Sequence, residues 1–284
     1  MVKTSVHESS SRLRRVEGRH NPLVKELRKA FSSGELTEDG HCAIEGIRIV
    51  EEAIRSGLKF RAVFFSDSAG GQAERLLPQI GAHTETLILP DQLFSSAVAS
   101  ESPQGVAALV RTKTFTVDDV LARAQAGSLV AIAGVQDPGN LGTILRSAEA
   151  FGATGLLLGE GTVSVANSKV VRASAGSAFR LAMVRTKLAD VLPRLREHGL
   201  RLVATSSHKG TPLPQANLSG PLAVFIGSEG AGLHRDLLAQ MDEVIAIPHS
   251  PNVESLNAGV AASIVLYEAA RQKSATETWS HGEK

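Results

Sequence analysis
QDPGNLGTILRSAEAFGA, residues 136–153, decides how the rest of the chain is read. It runs from an acidic loop containing Pro and Gly into an amphipathic helix. Leu141, Ile144, Leu145 and Ala148 fall at i, i+3, i+4 and i+7, one apolar face for packing on a sheet. Gly142, Arg146 and Glu149 fall on another face, and Asn140 is placed to cap the helix. The loop follows Leu129–Ala133, a continuous apolar run of the kind carried by a strand buried on both faces. Strand, glycine loop and helix in that order mark the ligand-binding end of a parallel α/β sheet. A nicotinamide-dependent oxidoreductase needs Gly-x-Gly-x-x-Gly here, and the loop offers only Gly139 and Gly142. Arg146 lies one turn inside the helix, where a cation opposes the helix dipole at a cost of roughly a few tenths of a kcal/mol. An ordinary solvated arginine is the plain alternative; an anionic partner or a part in proton transfer is the functional one.

The same alternation continues outward. Gly155–Leu158, Leu181–Val184, Leu200–Ala204, Ala223–Ile226 and Glu243–Ile247 are further strand candidates. Helical patterns lie between them at 141–151, 168–175 and 187–197, and a long helix over 256–272 closes the series. Towards the N-terminus, His41–Glu45, Arg61–Phe65, Thr86–Leu89 and Gly105–Val110 read as strands, with a helix through Ile47, Val50, Ala53 and Ile54. A polar helical stretch from Thr116 to about Ala126 links the two series. The chain therefore reads as two α/β units, the second built on a parallel sheet.

Two more loops carry polar residues at strand ends. FIGSEGAGL (225–233) places Glu229 among Gly227, Gly230 and Gly232. The carboxylate is the wrong charge for a phosphate cradle, and no Lys-Ser or Lys-Thr follows, so this is not a P-loop. IPHSPNVESLNAGVAASIVLYE (247–268) has a loop stiffened by Pro248 and Pro251, with Ser255 placed to cap a helix beginning at Leu256. Leu256, Val260, Ile264 and Tyr267 form an apolar stripe, while Ala258, Gly259, Ala261, Ala262 and Ser263 keep the first turns thin enough for close helix packing.

Composition narrows the class. In 284 residues, a hydrophobic fraction of 43% and a charged fraction of 21% are those of a globular protein with ample core. No apolar run approaches the roughly 20 residues that span a bilayer. The N-terminal stretch lacks the apolar core of a secretory signal. The single cysteine, Cys42, excludes an internal disulfide framework and fits a reducing, cytoplasmic setting. Nine histidines show no paired metal-ligand spacing, so no metal is expected. Net charge is +1, but residues 1–30 hold eight basic and three acidic side chains, as a polyanion-binding arm would.

Taken together, Asn-x-Gly-x-x-x-Arg, Gly-x-Glu-Gly-x-Gly and Ile-Pro…Ser-Leu-Asn, in this order on an α/β chain, resemble the SpoU (TrmH-like) class of RNA ribose 2′-O-methyltransferases of the SPOUT superfamily. The match covers about residues 125–272. The resemblance implies a parallel α/β methyltransferase domain tied in a trefoil knot, working as a homodimer with S-adenosylmethionine. It is preceded by a small α/β RNA-binding domain of ribosomal-protein-like fold, which EGIRIVEEAIRSGLKFRAVFFS (45–66) resembles more loosely. The expected limits are a basic, partly disordered arm at 1–20, a substrate-binding domain at 21–115, a methyltransferase domain at 116–273 and a disordered tail at 274–284. Carried over by motif, Gly227, Ile247 and Leu256 contact the cofactor, with Thr205 lining the same pocket. Asn140, Arg146, Glu229, Ser255 and Asn257 match the polar active-site positions. His249 and Pro251 depart from the family pattern, which commonly has Met and Gly there. Ribosomal RNA, 23S in particular, is the expected substrate ahead of tRNA. A non-catalytic RNA-binding or ribosome-assembly protein on the same fold is the rival reading.

Overall fold
Packing divides the chain into two units in the computed structural model, which describes residues 12–281 except 99, 125, 126 and 231, with side chains described to residue 274. The first unit comprises residues up to 113 together with 164–179, and the second comprises 114–163 and 180 onward.

In the first unit, strands β1 (Leu13–Arg15), β2 (His41–Glu45), β3 (Lys59–Ser66), β4 (Glu85–Leu89) and β5 (Val106–Arg111) form a mixed sheet ordered β1-β4-β3-β5-β2. Helix α1 (Pro22–Ser33) starts where Asn21 Oδ1 accepts from the Leu23 and Val24 amides and ends at Gly34, in the left-handed region. Its inner face, Leu23, Val24, Leu27, Ala30 and Phe31, packs with Phe64, Leu87 and Leu109 of the sheet. Helices α2 (Ile47–Arg55), α3 (Gly70–Leu76) and α4 (Asp91–Ala97) complete the strand–helix alternation. On the other side, Cys42, Ile44, Val63 and Phe65 pack with Ala166, Val171 and Phe179 from the later segment, where α7 (Ser168–Ala173) lies.

The arm expected at 1–20 is corrected from residue 12 onward. Leu13–Arg15 pair in parallel with β4, and the basic side chains are committed locally. Arg12 donates to the carbonyls of Leu77, Ile80 and Gly81, Arg14 pairs with Glu85, and Arg15 with Asp67. Arg28 donates to the Ser96 carbonyl, and Lys29 pairs with Glu38. A running charge count sees an unbalanced arm because the acidic partners lie far along the chain. Residues 1–11 fall outside the described residues. Glu26, Asp39 and His41 hold ligand-type atoms within 4.8 Å of one another. His41 Nδ1 lies 3.4 Å from Glu26 Oε1, and Asp39 is exposed.

The second unit opens with α5 (Val117–Leu121), started by a capping box between Thr116 and Asp119. Strands β6 (Leu129–Ile132), β7 (Gly155–Leu158), β8 (Met183–Arg185), β9 (Arg201–Ser206), β10 (Thr211–Pro212), β11 (Leu222–Ile226) and β12 (Glu243–Ala246) form one sheet ordered β10-β12-β9-β11-β6-β7-β8. Every pairing in it is parallel. The apolar runs of β6, β7 and β11 are buried throughout, as strands covered on both faces require. Helices α6 (Pro138–Ala150), α8 (Leu188–Glu197), α9 (Arg235–Leu238) and α10 (Ala258–His281) complete the unit.

Helix α10 corrects the disordered tail expected from 274, since it continues to His281; residues 282–284 lie outside the described residues. Its thin first turns lie against α6. A Cβ added at Gly259 would come 3.0 Å from Thr143 Cβ, and the Ser147 and Ser263 hydroxyls are 2.6 Å apart. Further along, Gln272 accepts from the Leu218 amide and donates to the Ala216 carbonyl, and it also donates to Glu268. Arg271 and then Gln272 hold the Glu268 carboxyl down to about 2. The larger apolar residues of the stripe point outward: Val260 is 47% exposed, Ile264 37% and Tyr267 55%. No helix among the described residues is long and apolar enough to cross a membrane.

Candidate active site
Four loops of the second unit meet at the carboxyl ends of β6, β9, β11 and β12, the end of a parallel sheet where ligands bind. After β6, Asp137 caps α6 by accepting from the Asn140 amide at 2.7 Å, with Pro138 in the first turn. This corrects Asn140 as the cap. The helix begins at Pro138, so Asp137 holds the cap position and Asn140 lies in the first turn, with its side chain left to bridge other loops. Asn140 is only 9% exposed. Its Nδ2 donates to Glu229 Oε1 at 2.7 Å, and its Oδ1 accepts from Asn257 Nδ2 at 2.7 Å.

Asn257 in turn accepts at Oδ1 from the amides of Gly259 and Val260, at 3.0 and 3.2 Å. That is the N-cap of α10, so the cap expected at Ser255 and the helix start expected at Leu256 both move two residues on. An amide side chain caps with its oxygen and donates from a separate nitrogen, whereas a serine hydroxyl would have to do both with one atom. The result is a continuous polar chain, Asn257–Asn140–Glu229, linking the starts of two helices to the loop after β11.

That loop is closed by its own backbone. Ser228 and Gly232 exchange amide-to-carbonyl hydrogen bonds of 3.2 and 3.0 Å. A Cβ at Gly227 would stand 2.2 Å from the Gly232 carbonyl carbon, so only glycine fits the turn as built. Glu229, at its exposed tip, accepts from Asn140. Beside it opens a cavity of about 470 Å³. Thr205, Gly227, Ile247 and Leu256, the positions matched to cofactor binding, all line it, as do Glu229 and Ser255. Thr205 is held by donating from Oγ1 to the Phe225 carbonyl at 3.1 Å.

Arg146 stands apart from this group. It is exposed, and it makes no hydrogen bond or ion pair among the described residues. Six residues beyond Asn140, it lies about 9 Å further along the helix axis. Glu149, on the face shared with Arg146 in the sequence pattern, pairs instead with Arg180 at 2.5 Å. Motif spacing did not single out His208 or Glu254, which also line the cavity. Their one signal is position, just past the carboxyl ends of β9 and β12.

Residues 127–267 match the SpoU rRNA Methylase family, and residues 21–108 the MRM3-like substrate binding domain. The chain is 31% identical over 255 residues to the 23S rRNA (guanosine(2553)-2′-O)-methyltransferase RlmP of Bacillus subtilis (strain 168), over 90% of this chain and 98% of that protein. Its fold is similar to that of the AdoMet-bound rRNA methyltransferase from Sinorhizobium meliloti, with a TM-score of 0.79, 27% identity, and 92% and 98% of the two chains covered. For the SpoU methyltransferase AviRb from Streptomyces viridochromogenes in complex with AdoMet, the TM-score is 0.78 and the identity 28%, over 89% and 98%.

Proposed function
Because this chain belongs to the SpoU rRNA methylase family, we propose that its cavity and the Asn257–Asn140–Glu229 chain form one active site for methylating a ribose 2′-hydroxyl of RNA with S-adenosylmethionine. The observation that carries the reading is the hydrogen-bonded chain itself, which ties Asn140 and Asn257 to Glu229 on the cavity wall and so supports a single site. The cavity volume falls within the range of about 300–1,000 Å³ usual for ligand sites. Glu229 and Glu254 add carboxylates to its wall, suited to a cofactor bearing a sulfonium and an ammonium. Thr205, Gly227, Ile247 and Leu256 would hold that cofactor, with apolar walls around the adenine. Bound there, S-adenosylmethionine supplies an electrophilic methyl group.

The residues of the chain have the remaining work. Attack by a 2′-hydroxyl needs a fixed geometry and loss of its proton as the oxygen reacts. Asn140, bound on both sides, fixes the loop of Glu229 against two helix starts. Asn257 positions Asn140, since its oxygen is spent on capping α10. Ser255 is exposed on the cavity wall and free to orient the nucleotide. Arg146 offers an uncommitted guanidinium to the RNA phosphate and to charge developing on the attacking oxygen. A guanidinium holds its proton throughout, so it acts as a stabiliser rather than a literal base.

The outward apolar stripe of Val260, Ile264 and Tyr267 supports a homodimer, in which a second copy covers it. After β12 the chain returns as α10 beside α6, which supports the trefoil knot expected from the family resemblance. Similarity to RlmP along nearly the whole length favours 23S rRNA ahead of tRNA. Arg146→Ala is expected to abolish methyl transfer while leaving S-adenosylmethionine affinity unchanged by calorimetry. Near wild-type turnover on the cognate RNA would refute the assignment. Mapping 2′-O-methylation across total RNA from cells with and without the gene identifies the substrate; a lost tRNA mark with intact 23S marks would move it.

A further inference from the structure
Two imidazoles face each other on the cavity wall. His208 follows β9 and His249 follows β12, with ring centroids 5.8 Å apart and planes tilted by 36°. The other ionisable side chains lining the cavity, among the described residues, are Glu229 and Glu254. Neither Lys nor Arg is among the lining residues, and Lys209, next in the chain to His208, is not one of them. S-adenosylmethionine brings both signs to such a site: a sulfonium and an α-ammonium, which suit the carboxylates, and an α-carboxylate, which they repel. Among the described residues, the two histidines are the only lining side chains able to carry positive charge.

Their hydrogen bonding differs in a way that matters. His249 Nδ1 lies 2.7 Å from the Ile247 carbonyl oxygen. A carbonyl only accepts, so Nδ1 carries a hydrogen and Nε2 is the remaining nitrogen. In the neutral ring Nε2 can only accept; it donates once the ring is protonated. The His208 ring has no hydrogen-bond partner among the described residues, its contact being the His249 ring.

Resting on the cavity as the S-adenosylmethionine site, we propose that His208 and His249 form the subsite for the carboxylate of the cofactor's amino-acid tail, and that His249 takes up a proton as the carboxylate arrives. The proton comes from solvent, Nε2–H then donates to a carboxylate oxygen, and no covalent bond of the cofactor changes. The position of His249, where the family pattern commonly has Met, makes this a property of the present chain, since a thioether takes up no proton.

The test is titration calorimetry of the full chain with S-adenosylhomocysteine and with 5′-methylthioadenosine, which shares the adenosine and the thioether but lacks the amino-acid tail. His249→Met and His208→Ala are each expected to weaken S-adenosylhomocysteine binding about tenfold, as loss of a charge-assisted hydrogen bond does. Each is expected to change 5′-methylthioadenosine binding less than about twofold, the tail being absent. Repeating the wild-type titration in buffers of different ionisation enthalpy should show proton uptake with S-adenosylhomocysteine, none with 5′-methylthioadenosine, and none in His249→Met. Equal losses for both ligands, unchanged S-adenosylhomocysteine affinity, or no proton uptake would overturn the subsite while leaving the cavity as the cofactor site. Failure of the wild type to bind either ligand would overturn the cavity assignment, and the subsite with it.

Discussion

Replacing Asn140 with Asp keeps the shape of the side chain and inverts half of its hydrogen bonding. The Nδ2 that donates to Glu229 at 2.7 Å becomes an oxygen facing an oxygen, while the bond received from Asn257 is kept and strengthened. A hydrogen bond to a charged group contributes about 1.5–3 kcal/mol, and Glu229 is exposed, so the lower end applies. Two carboxylates this close add at least the about 1 kcal/mol of repulsion that water would allow, since position 140 is buried. The gain at Asn257 returns under about 1 kcal/mol. The expected net loss near pH 7 is about 2 kcal/mol, or a fall of roughly 4–8 °C in the melting temperature of a unit this size. Adding Glu229→Gln supplies an amide that donates to the introduced carboxylate, so the double variant should return to within about 1 kcal/mol of wild type. Scanning calorimetry of the full chain reads all four corners of the cycle. A carboxylate pair also shares a proton as pH falls, so the N140D deficit should shrink towards pH 5. Additive losses, with the double variant at or below N140D, would refute the polar chain as a coupled unit.

Two glycines should respond in opposite directions. Gly259→Val places branched carbons against Thr143 and should cost about 1–3 kcal/mol. Gly71→Ala, exposed in α3 with nothing within 4 Å, should stabilise by about 0.4–1 kcal/mol; thermal melts report both. Glu268 has its carboxyl held below its unfolded value, so its contribution is present at neutral pH and fades as pH falls from about 4.5 to about 2. Glu268→Gln should flatten stability over that acid window, as followed by urea denaturation against pH. Ile264→Glu should leave the fold intact and shift the protein to monomer by light scattering; an unchanged mass would remove this face from the interface.

Strands buried on both faces were the most legible part of the chain, because runs such as LVAI in β6 and LAVFI in β11 have few other uses. The thin face of α10 was legible for the same reason: small residues at helical spacing foretell a close neighbour, which is α6. What sequence could not distribute was polar capping. Asp137, Asn140, Ser255 and Asn257 all have side chains fit for an N-cap, and only the meeting of the three loops shows that Asp137 and Asn257 take that role. Motif position likewise set Asn140, Arg146 and Glu229 together without saying which pair would bond, and it is Asn140 that binds Glu229. The basic N-terminal stretch misled most, since Asp67 and Glu85 lie more than fifty residues from the arginines they neutralise. A truncation meant to test an RNA-binding arm should therefore end at residue 11, before β1 and the buried face of α1.

Ala166, Val171 and Phe179 help fill the core around Cys42 and Ile44, yet the ribosome delivers them long after Lys113. At roughly 5–20 residues per second, about 3–13 s separate emergence of the first unit's sheet from emergence of the segment that covers it. For that interval the cluster of Ile44, Val63 and Phe65, partly covered by Val50, Ala53, Leu76 and Leu77, lacks its last three members, and the apolar surface left open is of the kind on which chaperones act and aggregates start. A gene fragment ending at residue 113 would hold the chain in that state for good. An N-terminal fragment intended for RNA-binding work is therefore expected to express poorly unless residues 164–179 are grafted back to it.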